Sequence, residues 1–215
     1  SFKQLMARQG KNPEAVYAYA LYLSSSDRDA SALNVIAQLP RAQWTDSMRE
    51  LDTRLQRNVL VARAESLRAA GQEPQAIALL MQDNSPDDQM TIAGWAQERG
   101  DYAQAQSLYR EVLKKNPGNT EAQLGQIETL IASKQLPAAR QQLAQFTPAP
   151  GTPLTPSQQR RVANAWAGVG EPDKAQAIYA QLLQSPQVDP LMYRDAARLS
   201  AAKDPQQALD YYAKS

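Results

Sequence analysis

The sequence predicts an all-α protein, a right-handed superhelical solenoid of about six helical hairpins. Three observations predict it. An alanine followed four residues later by a bulky side chain recurs as Ala32/Ile36, Ala76/Leu80, Ala105/Tyr109, Ala139/Leu143, Ala175/Tyr179 and Ala208/Tyr212. These alanines are 44, 29, 34, 36 and 33 residues apart, the period of stacked helical hairpins. Glycine and proline punctuate the steps, and no strand-like run between turn residues competes with the helical reading.

Each hairpin is built the same way. Twelve residues before each alanine stands Ala20, Ala64, Ala93, Ile127, Ala163 or Ala196, and nine before it Leu23, Leu67, Ala96, Leu130, Trp166 or Leu199. Small residues let two antiparallel helices approach closely, and the bulky residue one turn on fills the space beside them. Gly71, Gly100 and Gly170, five residues before their alanines, supply the left-handed conformation that ends a first helix. Pro40, Pro86, Pro117 and Pro186 read as breakers that close second helices. Between them, sets such as Leu108/Val112/Leu113 and Ile178/Leu182/Leu183 keep helical spacing.

Two steps are irregular. The first contains Leu39-Pro40-Arg41-Ala42-Gln43-Trp44-Thr45 and then a long helical stretch from about Asp46 to Ala70, with Met48, Leu51, Leu55 and Val59 on one face. The other runs from Phe146 to Pro156 and carries Pro148, Pro150, Pro153 and Pro156, which cannot continue a helix. Its Pro150-x-x-Pro153-x-x-Pro156 spacing matches a polyproline ligand. The plainer reading is a loop ending where Thr155/Pro156 starts the next helix. The chain reads as one array over residues 1–215, with bends or hinges at the junctions 41–47 and 147–156, and a last hairpin truncated after Tyr212.

Composition excludes much chemistry. The 215 residues carry 23 Lys+Arg against 22 Asp+Glu, no Cys and no His. An interspersed, balanced charge argues against nucleic acid, which needs a basic face. Without Cys or His there is no disulfide, thiolate site or imidazole base. No metal or cofactor is implied; Gly168-Val169-Gly170 lacks the helix and the Lys-Ser/Thr that phosphate binding requires. Ala15–Leu23, the longest apolar run, is about half a membrane span. Ser1-Phe2-Lys3 does not begin a signal peptide, so the chain reads as a piece of something longer.

The stretch from Trp95 to Tyr109, continuing through Pro117-Gly118-Asn119, resembles a tetratricopeptide repeat in the placing of Gly100, Tyr102, Ala105, Tyr109 and Pro117. It departs where Ala96 occupies an aromatic slot, one place from Trp95. Asn12 to Ser24, Leu39 to Trp44, Arg49-Glu50-Leu51, Arg54-Leu55-Gln56 and Asp101-Tyr102, in this order, are similar to the periplasmic repeat region of the bacterial cellulose synthase C-subunit family, an outer-membrane export component. The likeness covers most of the chain, weakens after about Ser185, and places it late in the family's array, before a C-terminal β-barrel. It implies a periplasmic scaffold, attached to the outer membrane in the longer protein, that recruits or spaces proteins of the cellulose secretion complex. Cellulose itself and peptidoglycan are further partners it suggests. The alternative it leaves is a module that binds the glucan directly and guides it to the pore.

First helices of such arrays line a concave binding face. The alanine register puts there Tyr17 and Leu21; Asn58, Val61, Glu65 and Arg68; Met90, Gln97 and Glu98; Leu124, Glu128 and Ile131; Arg160 and Asn164; and Tyr193. A mixed groove of this kind suits an extended protein segment, and equally a solvated surface. Glu65, Glu98 and Glu128 give about one carboxylate per repeat. Paired carboxylates about 5–10 Å apart cleave glycosidic bonds, but nothing in the sequence desolvates these, and the chain reads as no enzyme. Trp166, Tyr109 and Tyr179 occupy packing positions, with Tyr212 as the last filler; Tyr19 and Tyr22 should pack on the second helix. Trp44 in the insertion is the candidate exposed aromatic, with core burial the more ordinary place for its ring.

Overall fold

The computed structural model describes residues 12–148, 151–184, 189–201 and 203–215. Ser1 to Lys3, Pro150 and Pro186, which carry expectations above, lie outside them. The described residues form twelve α-helices, one 3₁₀ turn and no strand, so the all-α class and the six hairpins hold. They divide at Asn84/Ser85 into two compact units. No described helix is long and apolar enough to cross a membrane.

The first unit holds α1 (Pro13–Ser24), α2 (Asp29–Ile36), a 3₁₀ turn (Arg41–Gln43), α3 (Asp46–Ala69) and α4 (Glu73–Leu80). Asn12 starts α1 by accepting from Glu14 N at 2.9 Å, with Pro13 preset for the first helical position. Val16, Ala20 and Leu23 pack on Ala32 and Ile36, and the same core takes in Leu39, Trp44, Met48, Leu51 and Leu55. The 24 residues of α3 are long because its first two turns pack on the first hairpin and its last on α4.

Two expectations are corrected here. Trp44 is a core residue, 8% exposed: its Nε1–H donates to Leu39 O at 2.9 Å, so the ring can be buried without an orphaned donor. Arg41 lies over the ring, 5.4 Å from its centre. Tyr22 does not pack on the second helix; it is half exposed and stacks on Tyr19 with centres 6.4 Å apart, while Tyr19 packs against the core. Leu21 is also exposed.

The second unit holds α5 (Pro86–Glu98), α6 (Tyr102–Lys115), α7 (Thr120–Ala132), α8 (Leu136–Gln145), α9 (Pro156–Gly168), α10 (Pro172–Leu182), α11 (Pro190–Ser200) and α12 (Pro205–Tyr212). Each helix packs on its hairpin partner, and the first helices α5, α7, α9 and α11 pack in succession. Pro86 opens α5 rather than closing α4: Ser85 accepts from Asp88 N and Asp88 bonds back to Ser85 N, a reciprocal cap that leaves the first helical position free for proline. Thr155 and Gln158 cap α9 in the same way behind Pro156. Pro117 follows the end of α6 as expected.

Gly100 and Gly170 adopt φ of +81° and +83°. Each lets the next residue reach back into the helix, Asp101 N to Ala96 O at 2.8 Å and Glu171 N to Trp166 O at 2.9 Å. Between α7 and α8 the same backbone is made by Lys134, at φ +63°, where the sequence shows no glycine. At the last hairpin Tyr212 is half exposed. Its neighbour Tyr211 packs against that core instead, 6.3 Å from the Tyr193 ring.

Candidate functional site

In the second unit, successive first helices meet through polar groups, and each junction uses different ones. Between α5 and α7 stands Tyr109, sent in from α6. Its hydroxyl lies 3.5 Å from Gln97 Oε1, at the limit of a hydrogen bond. Thr129 Oγ1 donates to Gly125 O at 2.7 Å and lies 3.2 Å from Gln97 Oε1. Gly125 leaves room for the ring: a Cβ there would fall 2.4 Å from Tyr109 Cζ. Burial, and then the negative charge of Glu128, push the Tyr109 phenol up to about 12, against the opposing pull of Arg161.

Between α7 and α9, beside the apolar core that Leu124, Leu130, Val162 and Ala165 share, the polar contact is ionic. Arg161 grips Glu128 with two bonds, Nε to Oε1 at 2.7 Å and Nη2 to Oε2 at 2.8 Å, and its Nη1 donates to Glu121. Gln158 Nε2 donates to the other Glu121 oxygen at 2.7 Å. Bidentate geometry of this kind is the strong form of an ion pair. The hydrogen bonds it donates to Glu128 raise the guanidinium further above its usual range, outweighing burial. Burial alone would raise the Glu121 carboxyl, but the bonds from Gln158 and Arg161 and the Arg161 charge outweigh it and lower it.

Between α9 and α11 stands Tyr179 from α10, 2% exposed. Its hydroxyl donates to Asn164 Oδ1 at 2.9 Å, with Asp195 Oδ2 at 3.2 Å near enough to share the proton. Asn164 Nδ2 donates to Asp195 at 3.3 Å. Arg160 and Arg198 flank that carboxylate at 3.5 and 3.4 Å. Burial, and then Asp195, raise the Tyr179 phenol still further than that of Tyr109.

The candidate residues fall into three groups. Gln97, Glu128, Arg160 and Asn164 are spent in these junctions, and Tyr193 on Tyr211. Leu124 is fully buried and is corrected from groove to core, where it packs with Ile127 and Leu130. Glu98 is exposed, and Met90 and Ile131 are half-buried beside the cores. In the first unit Tyr17 packs partly on the core. Asn58 donates to Asp29 at 2.8 Å and Arg68 pairs with Glu73 at 3.3 Å, while Glu65 is exposed and Val61 half-buried.

Both Glu128 oxygens are held by Arg161, so this carboxylate is occupied by an ion pair. Among the described residues no cluster of three or more metal-ligating groups occurs. Sequence reasoning missed Arg161, Glu121, Asp195 and Gly125. The available signal was the seven-residue step from Glu121 to Glu128, two helical turns on one face.

Comparison with known proteins follows this geometry. Residues 96–150 match the tetratricopeptide repeat family. The chain is 40% identical over 98% of its length to cellulose synthase operon protein C of Escherichia coli K12, and 39% identical over 98% to that of Salmonella typhimurium. The likeness thus continues past Ser185, where the sequence motifs ended. The chain spans 19% of the E. coli protein's length, about a fifth of the curated relatives it matches. Among solved structures, a tetratricopeptide repeat protein from Parabacteroides merdae superposes with TM-score 0.59 at 16% identity, over 94% of this chain and 77% of that one. MamA from Desulfovibrio magneticus gives 0.56 at 17%, over 73% and 90%. These structures share the fold.

Proposed function

We propose that this chain is a non-catalytic recognition and spacing module of a cellulose secretion machine. The observation that carries the reading is the 40% identity to cellulose synthase operon protein C over nearly the whole chain, joined to a helical repeat fold whose common use is holding other proteins. In this reading both units are successive parts of one array standing in the periplasm, within a longer protein attached to the outer membrane. The partners are other proteins of the secretion complex, with peptidoglycan as a neighbour. The exposed and half-buried residues of the first helices, Met90, Glu98 and Ile131 foremost, are the ones proposed to meet a partner. A stacking track for glucan on this face finds little support, since Trp44 is buried and Tyr193 is engaged with Tyr211.

A chain without Cys accepts single cysteines cleanly. Cross-linkers placed at Met90, Glu98 and Ile131 of the full-length protein in cells should capture a protein of the secretion complex. Cross-links to glucan alone, or to nothing, would overturn the reading.

A further inference from the structure

The charges of the second unit are sorted by helix. The first helices α5 and α7 carry Asp87 and Glu98, beside the buried cap Asp88, then Glu121 and Glu128, and no Lys or Arg. The first helices α9 and α11 carry Arg160 and Arg161, then Arg194 and Arg198, with Asp195 as their one acid. The second helices α6 and α10 mix both signs within one helix. Acids in the first turns of α5 and α7 suit the helix dipole. The dipole does not account for the arginines, since Arg160, Arg161 and Arg194 lie in the N-terminal halves of their helices.

Pairing inside the unit leaves both ends charged. Glu121 and Glu128 share Arg161, which leaves a negative charge over. Arg160 and Arg198 share Asp195, which leaves a positive one. Arg194 adds another. It holds on α11 the place that Arg161 holds on α9, but Asn164 stands across from it where Glu128 stands across from Arg161. Arg194 is exposed and forms no ion pair among the described residues. We infer that this face binds an extended segment of a partner protein in one charge order, cationic end over α5 and α7, anionic end over α9 and α11. The inference rests on the protein-recruiting reading above and adds the partner's chemistry to it. Four helices packed about 8–10 Å apart span about 25–30 Å, which an extended chain covers in about eight or nine residues. A segment whose signs alternate would meet like charge at about half its contacts, and like charges across an interface are what exclude a wrong partner.

The test uses two nine-residue peptides, each of three Lys, three Ser and three Glu, one with the residues in blocks and one with them alternating. Both are titrated calorimetrically into the 215-residue chain at low salt. The block peptide should saturate and bind at least fivefold more tightly than the alternating one. Added salt should weaken it. Arg194→Glu should cut its affinity about fivefold and Arg194→Gln less, while Arg110→Glu, on the second helix α6, should leave it unchanged. Thermal unfolding of each variant checks that the fold is intact. A spin label on the Lys end should broaden the amide signals of α5 and α7, and one on the Glu end those of α9 and α11. Equal affinity for the two peptides, no saturation at millimolar peptide, an unaltered Arg194→Glu variant or a reversed pattern of broadening each overturn the inference. Equal peptide affinities beside protein cross-links in cells would overturn it and leave the recruiting reading standing. Block-selective binding without any protein cross-link would support the charge order and overturn the recruiting role.

Discussion

The Tyr109 ring rests directly on Gly125: a single methyl group at that glycine would stand 2.4 Å from Cζ and 2.8 Å from the hydroxyl oxygen. The ring is 5% exposed and packed among Ala93, Ala96, Ala105 and Ala122, so it has no free direction in which to retreat. Gly125→Ala should therefore destabilise the chain by about 1–3 kcal/mol despite alanine's better helix propensity. Denaturant unfolding measures it. In a Tyr109→Leu background the same change should cost little, and equal costs in both backgrounds would show that the clash is not the cause.

Arg161 makes stability depend on acid. The Glu121 carboxyl sits below its ordinary value of 4.5 in the folded chain. Its contribution is therefore present above that value and is lost as pH falls through the lower folded one. Unfolding free energy should fall as pH drops below about 4.5. Arg161→Met should flatten that drop and lower stability at neutral pH by about 1–3 kcal/mol, since Glu128 then loses both hydrogen bonds that Arg161 gives it. An unchanged acid limb would mean that other carboxylates set it.

The two seated tyrosines make the opposite prediction at high pH. Their phenols are raised from 10.0, that of Tyr109 to about 12. The stability they contribute is present below the ordinary value and is lost as pH rises through the folded one. Of nine tyrosines, two should ionise late in a phenolate absorbance titration, and Tyr109→Phe and Tyr179→Phe should each remove one. At pH 7 the costs should differ. Tyr179→Phe loses a 2.9 Å bond and should cost about 1 kcal/mol, whereas the 3.5 Å contact of Tyr109 should be worth much less.

Lys134 is an exposed residue in left-handed backbone at a position where its counterparts Gly100 and Gly170 are glycines. Lys134→Gly should raise stability by about 0.5–1 kcal/mol, because a Cβ disfavours that conformation by more than glycine's extra chain entropy. A lower unfolding midpoint would show that the Lys134 side chain makes a contribution larger than this strain.

These residues also show what the sequence makes visible. Gly100 and Gly170 are legible because a left-handed turn usually recruits the one residue without a Cβ; Lys134 takes the same conformation and leaves no compositional trace. Proline is ambiguous by type, so Pro86 reads as a stop until Ser85 and Asp88 are recognised as the cap that makes it a start. Trp44 lies in an insertion, which suggests exposure, and the carbonyl of Leu39 that permits its burial has no side-chain signature. On α9 the register brought Arg160 inward and passed over Arg161. One residue is a 100° turn of a helix, yet a long guanidinium still reaches across it to α7. Spacing alone sees backbone direction and not side-chain length.

The three junctions of the second unit carry a further consequence. Repeats with identical contact surfaces could stack in the wrong order, or exchange with a neighbouring molecule, at almost no cost. Here one seam is an amide, a threonine and a phenol, the next a guanidinium between two carboxylates, the third a phenol shared by an amide and a carboxylate. Exchanging any two of these hairpins would bury an ion without its counter-ion or leave a hydroxyl facing nothing. The seams thus work as addresses, telling each hairpin which neighbour to accept as the chain folds.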